Sequence, residues 1–216
     1  MSPRPEAPRN ETAYVREPGY AQRYRDARFR TGSGPRTDQR ERRAIQKLLR
    51  GCEPGDGPWL DVPCGAGRLS DLLPGPIVQV DRDPAMVRAV AARDTTRICA
   101  SAHALPFADD TFAGTLCMRL FQHLPGGEER VRVLSELRRV TRGPIVLSFF
   151  HAASFQHARR VVSRRLRRKP VSGRSAVTLR RFFAELQRAG LRPVRCAPLL
   201  PFLSDQWIVL AEPCSH

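Results

Sequence analysis

The sequence predicts an α/β fold, a mostly parallel sheet with helices on both faces. Three observations carry this. The run Trp59-Leu-Asp-Val-Pro-Cys-Gly-Ala-Gly-Arg68 passes from an apolar strand through Asp61 into a tight glycine turn. A second apolar strand, Ile77-Val-Gln-Val80, ends in Asp81. Helical and strand patterns then follow one another to Ser148, the order that builds a parallel sheet. The chain has 216 residues and is 41% hydrophobic, enough for one domain with a sizeable core.

The elements follow in order. Residues 1–36 form a basic arm, rich in Pro, Arg and Glu at its start. Tyr14, Tyr20 and Tyr24 recur there among Arg23, Arg25 and Arg28, and Gly32-Ser-Gly-Pro35 ends the arm. It is either a lid over the ligand mouth or a flexible extension. Residues 37–216 form the domain. Thr37 is a candidate N-cap for a helix with Ala44, Leu48 and Leu49 on its apolar stripe. After the glycine turn, Arg68 to Leu73 reads as helix. Pro84 opens another, with Met86, Val87 and Val90 inward. Arg97–Ala100 is a short third strand and Thr111–Met118 a fourth. Glu128 and Glu129 start a helix whose core positions are Val131, Leu134, Leu137 and Val140. Pro144–Ser148 is the fifth strand. Thr178 caps a helix that ends at Gly190. Leu191–Leu200 and Asp205–Ala211 are the closing strands.

Spacing narrows the ligand of the glycine turn. A dinucleotide site wants G-x-G-x-x-G, but with Gly65 and Gly67 as the first two glycines Ser70 stands at the third place. A phosphate-binding G-x-x-x-x-G-K-[ST] loop fails because Arg68 and Leu69 follow Gly67. What remains is D-x-x-C-G-x-G, Asp61 to Gly67, with Asp81 ending the next strand to hold a ribose diol.

At these residues the chain resembles the class I S-adenosylmethionine-dependent methyltransferases of the small-molecule type. Ser101-Ala-His-Ala-Leu-Pro-Phe107 is similar to the family's D-A-x-x-L-P-F segment. Thr111–Met118 is similar to its fourth strand and Phe121-Gln-His-Leu124 to the turn after it. Glu136–Val140 and Pro144–Ser148 follow in register. The resemblance spans roughly residues 37 to 213. It implies a three-layer α/β/α sandwich, Rossmann-like, with a mostly parallel seven-stranded sheet and an antiparallel last strand. It also implies S-adenosyl-L-methionine as cofactor, bound by Asp61, Cys64, Gly65, Ala66, Gly67, Asp81, Arg82, Ser101, Ala102 and Arg119. Two positions depart from the family pattern: Ser101 and Ala113 stand where it often has Asp.

Three histidines, His123, His151 and His157, are candidate general bases. His151 is the best placed, just past the fifth strand, where ligands bind in such sheets. A structural role competes with that one. The [DN]-P-P-[YFW] motif of amino-methylating nucleic-acid enzymes has no counterpart in Cys117-Met-Arg-Leu120, which argues against adenine-N6 methylation.

The chain carries 37 Lys and Arg against 21 Asp and Glu, a net charge of +16 that attracts anionic partners. Residues 150–175 form a basic insert, with Arg159, Arg160, Arg164, Arg165, Arg167 and Arg168 around a Phe155, Val161, Val162 and Leu166 stripe. The expected acceptor is a small molecule or lipid-type compound, anionic where the insert orients it. RNA methylation through the same arginines is the alternative. A cofactor-binding protein without turnover is a third reading. Among six cysteines there is no C-x-x-C pair, so zinc and redox-motif readings lack support. Cys99 and Cys117 read as buried thiols in strands. No run reaches the length of a membrane span and the N-terminus lacks a signal-peptide core, so a cytoplasmic location, peripheral to the membrane through the insert, is expected.

Overall fold

The computed structural model describes residues 19–22, 29, 32–53, 55–90, 95–154, 175–200 and 204–214. Most of the N-terminal arm and the basic segment 155–174 lie outside them, as do the readings placed on Tyr14, Tyr24, His157 and Arg159 to Arg168.

Helix α1, Gly34–Leu49, starts earlier than the sequence suggested. Ser33 precedes it and Pro35 sits in its first turn, where a fixed φ and a missing N–H cost nothing. Thr37 is therefore inside the helix, and its hydroxyl donates to the Ser33 carbonyl at 3.1 Å. The buried face is Glu41, Ile45 and Leu48. Ala44 and Leu49 flank it, so the expected stripe is rotated toward Ile45.

The sheet has seven strands in the order β3-β2-β1-β4-β5-β7-β6. These are β1 (Trp59–Asp61), β2 (Ile77–Asp81), β3 (Thr96–Cys99), β4 (Gly114–Cys117), β5 (Ile145–Phe150), β6 (Leu191–Pro198) and β7 (Gln206–Pro213). The first five are parallel, and β7 runs antiparallel to β5 and β6. Helices α2 (Pro84–Ala89), α3 (Gly127–Val140) and α4 (Leu179–Arg188) complete the layers. The expected architecture is present.

Two expectations need correction. Arg68 to Leu73 is not an α-helix; only a 3-10 turn, Ser70–Leu72, forms. Leu73 precedes Pro74 and takes an extended conformation (φ −88°, ψ 138°), which closes the helix after one turn. Cys99 is exposed, because β3 is the edge strand. Cys117 is buried as expected, and burial pushes its thiol far above the ordinary range.

Alternation along the strands divides the core. Leu60, Cys117, Ile145 and Val209 pack with Leu134, Leu137, Phe182 and Leu186 of α3 and α4. Trp59, Leu116, Val146 and Ile208 pack on the opposite face with Ile45 and Leu48 of α1. A buried Arg130–Glu185 pair, 2.7 Å apart, ties α3 to α4. It is satisfied further by the Leu124 carbonyl and the Ser175 hydroxyl, which a buried guanidinium requires.

Gly114 faces the Trp59 ring across the β1–β4 pair. A Cβ there would stand 2.5–2.7 Å from three ring carbons. Gly114→Ala is predicted to destabilise the protein by about 1–3 kcal/mol through overpacking. Thermal unfolding followed by circular dichroism should show a midpoint about 2–12 °C lower. An unchanged midpoint would mean that Trp59 does not set this spacing.

Candidate active site

The strand order reverses between β1 and β4, and chemistry-bearing residues gather at the carboxyl edge of the sheet around that point. Asp61 ends β1, Asp81 ends β2, and Ser101 and Ala102 follow β3. Arg119 follows β4, and His151 follows β5.

The glycine turn is held from below. Gly65 and Gly67 have φ of 54° and 74°, which a side chain rarely tolerates. The Cys64 N–H donates to the Val80 carbonyl at 2.8 Å, which docks the turn on β2. The Gly65 N–H donates to Asp81 Oδ2 at 2.9 Å, and the Asp83 N–H to Oδ1 at 2.9 Å. Two backbone donors thus fix the plane of the Asp81 carboxylate beside the turn. The Ala100 N–H donates to the Asp81 carbonyl, which joins the Ser101 loop to the same point. Gly67 is crowded by protein: a Cβ there would meet Gln79 Nε2 at 2.9 Å and Val90 at 3.0 Å. Arg82 is exposed beyond Asp81.

Asp61 is buried within a hydrogen-bond chain. Thr95 donates to Gln79 at 2.7 Å, Gln79 to the Ser70 hydroxyl at 2.6 Å, and Ser70 to Asp61 Oδ2 at 2.5 Å. Burial pushes the Asp61 carboxyl up to about 7, and the nearby Asp81 charge adds to this; the Ser70 bond and Arg68 oppose it. Cys64 is nearly enclosed, and burial together with both carboxylates drives its thiol well above the ordinary range. It is an inert wall of the turn, with no thiolate character.

Arg119 has a positive φ of 61°. Its N–H donates to the Ser148 hydroxyl at 2.7 Å, and its guanidinium turns to Glu41 at 2.6–2.8 Å. Ser101 Oγ accepts weakly from the His103 N–H at 3.3 Å. His151 is half-buried; its N–H donates to the Asp205 carbonyl at 2.6 Å, and its ring lies 5.1 Å from that of Trp207. His123 is exposed.

Two residues here escaped the sequence. Glu41, fully buried, accepts from Arg68 (2.6 Å), Arg119 and Gln206 (2.5 Å). An acid on a helix amid arginines carries no signal of burial. Gln122 donates its amide N–H to the Arg119 carbonyl at 2.7 Å, and its backbone carbonyl accepts from Ser175 at 2.7 Å. Its Oε1 is buried and has no hydrogen-bond partner among the described residues. Only its place beside His123 in the turn after β4 hinted at a site.

The arm reaches the turn at two described points. Ala21 packs with Ala66, Met86 and Ala89, with Tyr20 beside them. Phe29 stacks over the Arg68 guanidinium, 3.8 Å from the ring centroid. Both contacts fall on the glycine turn or the residue after it.

Residues 60–144 match the family model described as a methyltransferase domain. No curated protein matches the sequence at a significant level. Solved structures share the fold. A Pyrococcus horikoshii protein superposes with a TM-score of 0.67 at 18% identity, covering 89% of this chain and 98% of its own. Magnesium protoporphyrin IX methyltransferase from Synechocystis, solved with S-adenosylhomocysteine, gives 0.65 at 18% identity over 83% and 85%. A methyltransferase of Methanosarcina mazei gives 0.63 at 14% over 78% and 98%.

The Asp61 environment sets a pH dependence. The folded carboxyl titrates near 7 and the unfolded one near 3.8, so the folded state holds an extra proton between those values. This group's contribution to stability is therefore predicted to fall as pH rises from about 4 to about 7. Urea unfolding at pH 5.5 and 8.0 should show a decline of about 2 kcal/mol that Asp61→Asn lacks. The same decline in wild type and variant would contradict the assignment.

Proposed function

We propose that this chain, a class I S-adenosylmethionine-dependent methyltransferase, transfers its methyl group to a small-molecule or lipid-type acceptor. The observation that carries the site assignment is the Asp81 carboxylate, clamped by the Gly65 and Asp83 N–H groups beside the glycine turn. The donor set fits the cofactor. A carboxylate at the end of β2 suits a ribose diol, and the turn at Gly65–Gly67 brings backbone close to the ligand without side chains. Asp61 reaches its charged form near neutrality, as a partner for an amino group requires. When bound, S-adenosyl-L-methionine supplies an electrophilic methyl on a sulfonium whose leaving group is neutral.

The protein's part is to bind, orient and deprotonate. Asp81 accepts the ribose hydroxyls. Cys64, Ala66 and the two glycines form the floor under the methionine portion, and Arg82 lies at the rim. Ala102 and Ser101 flank the adenine, with Ser101 the weaker acceptor that replaces the family's aspartate. Arg119 meets the methionine end through its backbone carbonyl, since Ser148 takes its N–H and Glu41 holds its guanidinium. His151, at the end of β5, takes the proton of an acceptor O–H or N–H. Gln122 Oε1, in the turn after β4 and without a hydrogen-bond partner among the described residues, offers that acceptor a hydrogen-bond site. The arm contacts at Ala21 and Phe29 support a covering role over the turn. An excess of 16 positive charges favours an anionic acceptor.

Asp81→Ala is predicted to weaken S-adenosylhomocysteine binding at least tenfold, the loss of a charge-assisted pair. Isothermal titration measures this, with the thermal midpoint recorded alongside. Equal affinity in a folded variant would remove Asp81 from the site. Gly67→Val cannot serve alone, because its side chain meets Gln79 and Val90 and disturbs the turn itself.

The acceptor is sought by incubating the protein with methyl-labelled cofactor and cell fractions. Label in the small-molecule or lipid fraction is expected; label confined to RNA or protein would overturn the acceptor reading. On the acceptor so found, His151→Ala is predicted to lower turnover by about 10²–10⁴ with cofactor affinity unchanged. Unaltered turnover would dismiss it as the base.

A further inference from the structure

Helix α1 carries a row of cations on the side away from the sheet. Arg36, Arg40, Arg43, Lys47 and Arg50 recur at intervals of four, three, four and three residues, and all five are exposed. That spacing holds them on one side of the helix for about 21 Å. None has a hydrogen-bonded or ion-paired side-chain partner among the described residues. The acids of the helix face elsewhere. Asp38 pairs with Arg42 and Arg68, and Glu41 with Arg68 and Arg119. The exposed neutral side chains beside the row are Gln39 and Gln46. At the helix end, the Arg195 guanidinium of β6 donates to the Arg50 carbonyl at 2.8 Å and adds a sixth exposed cation.

Like charges three and four residues apart oppose helix formation. A general preference for arginine over lysine along the chain would not by itself remove acids from this one face. The buried face of Ile45 and Leu48 holds the helix in place and keeps the row straight.

We propose that this row is a docking surface for an anionic lipid bilayer. Charge complementarity names the class of partner, and shape selects within it. The row is a convex ridge on a rigid helix, so a plane meets all its cations at once. A single-stranded RNA site needs a groove and stacking aromatics, and no exposed aromatic stands beside the ridge among the described residues. The apolar side of α1 is committed to the core, so the helix does not insert; Val194, beside Arg195, is the exposed large hydrophobic residue nearby, at 39%. Attachment is therefore electrostatic, reversible by salt, and dependent on anionic lipid. This surface lies apart from the residues assigned to the cofactor, so its failure would leave the donor-site reading untouched.

The test is flotation of the full chain with vesicles of phosphatidylcholine, with and without 30% phosphatidylglycerol. Binding is expected only with the anionic lipid, and it should weaken steeply between 0.05 and 0.5 M salt. The triple variant Arg40→Gln, Arg43→Gln, Lys47→Gln should bind roughly 100-fold more weakly, on the order of fivefold per cation. Its thermal midpoint should be no lower than that of wild type, since repulsion along the helix is relieved, and its S-adenosylhomocysteine affinity should match wild type. A second variant, Arg164→Gln, Arg165→Gln, Arg167→Gln, should keep most of the binding. The proposal is overturned if wild type ignores anionic vesicles or binds neutral ones equally, or if only the second variant loses binding. It is also overturned if the α1 variant loses affinity for a short RNA while vesicle binding stays intact.

Discussion

The buried carboxylate of Glu41 is the point on which the carboxyl edge of the sheet depends. It draws Arg68 from the residue after the glycine turn, Arg119 from the end of β4 and Gln206 from the start of β7 onto helix α1. A charge this deeply enclosed is tolerable only when its oxygens are fully engaged, and removing one partner would leave an uncompensated ion. The result is a strap across three strands, beside the positions where a cofactor is read. It also explains why Arg119 holds a positive φ: its N–H must reach Ser148 while its guanidinium reaches Glu41.

A second constraint sits at the turn itself. Asp81 and Asp61 end neighbouring parallel strands, and their charges would repel if both were bare. The protein treats them differently. Asp81 receives backbone N–H donors, whereas Asp61 receives a hydroxyl and enough burial to titrate near neutrality. The two carboxylates thus sit side by side in different electrostatic settings; the proposed site uses Asp61 for an amino group and Asp81 for a diol. Ser70 is the hinge of this arrangement. It stands where a dinucleotide fold would place a glycine, and its hydroxyl both donates to Asp61 and accepts from Gln79.

Much of this was legible in the sequence because it rests on local pattern. The glycine turn, the strand-end acids and the succession of strands and helices along the chain follow from motif spacing and apolar runs; the seven-stranded sheet and its antiparallel last strand are what the family resemblance implied. What failed was governed by competition that pattern does not display. Arg68–Leu73 looks helical until Pro74 forces Leu73 into an extended state. Thr37 looks like a cap, but Pro35 lets the helix begin before it. Cys99 looks buried, yet β3 turns out to be the edge. Glu41 and Gln122 lay hidden because their partners are distant in sequence, and a buried polar residue on a polar helix or turn has no distinguishing composition. The α1 cation row was visible residue by residue, but that the acids of its own helix are engaged elsewhere needed the ion pairs of Asp38 and Glu41.

A crystal structure of the chain with S-adenosylhomocysteine tests the central claim most directly. The account expects the ribose diol on the Asp81 carboxylate, the homocysteine portion against Gly65–Gly67, and the adenine beside Ser101 and Ala102. A ligand bound elsewhere, or a ribose held without Asp81, would contradict it.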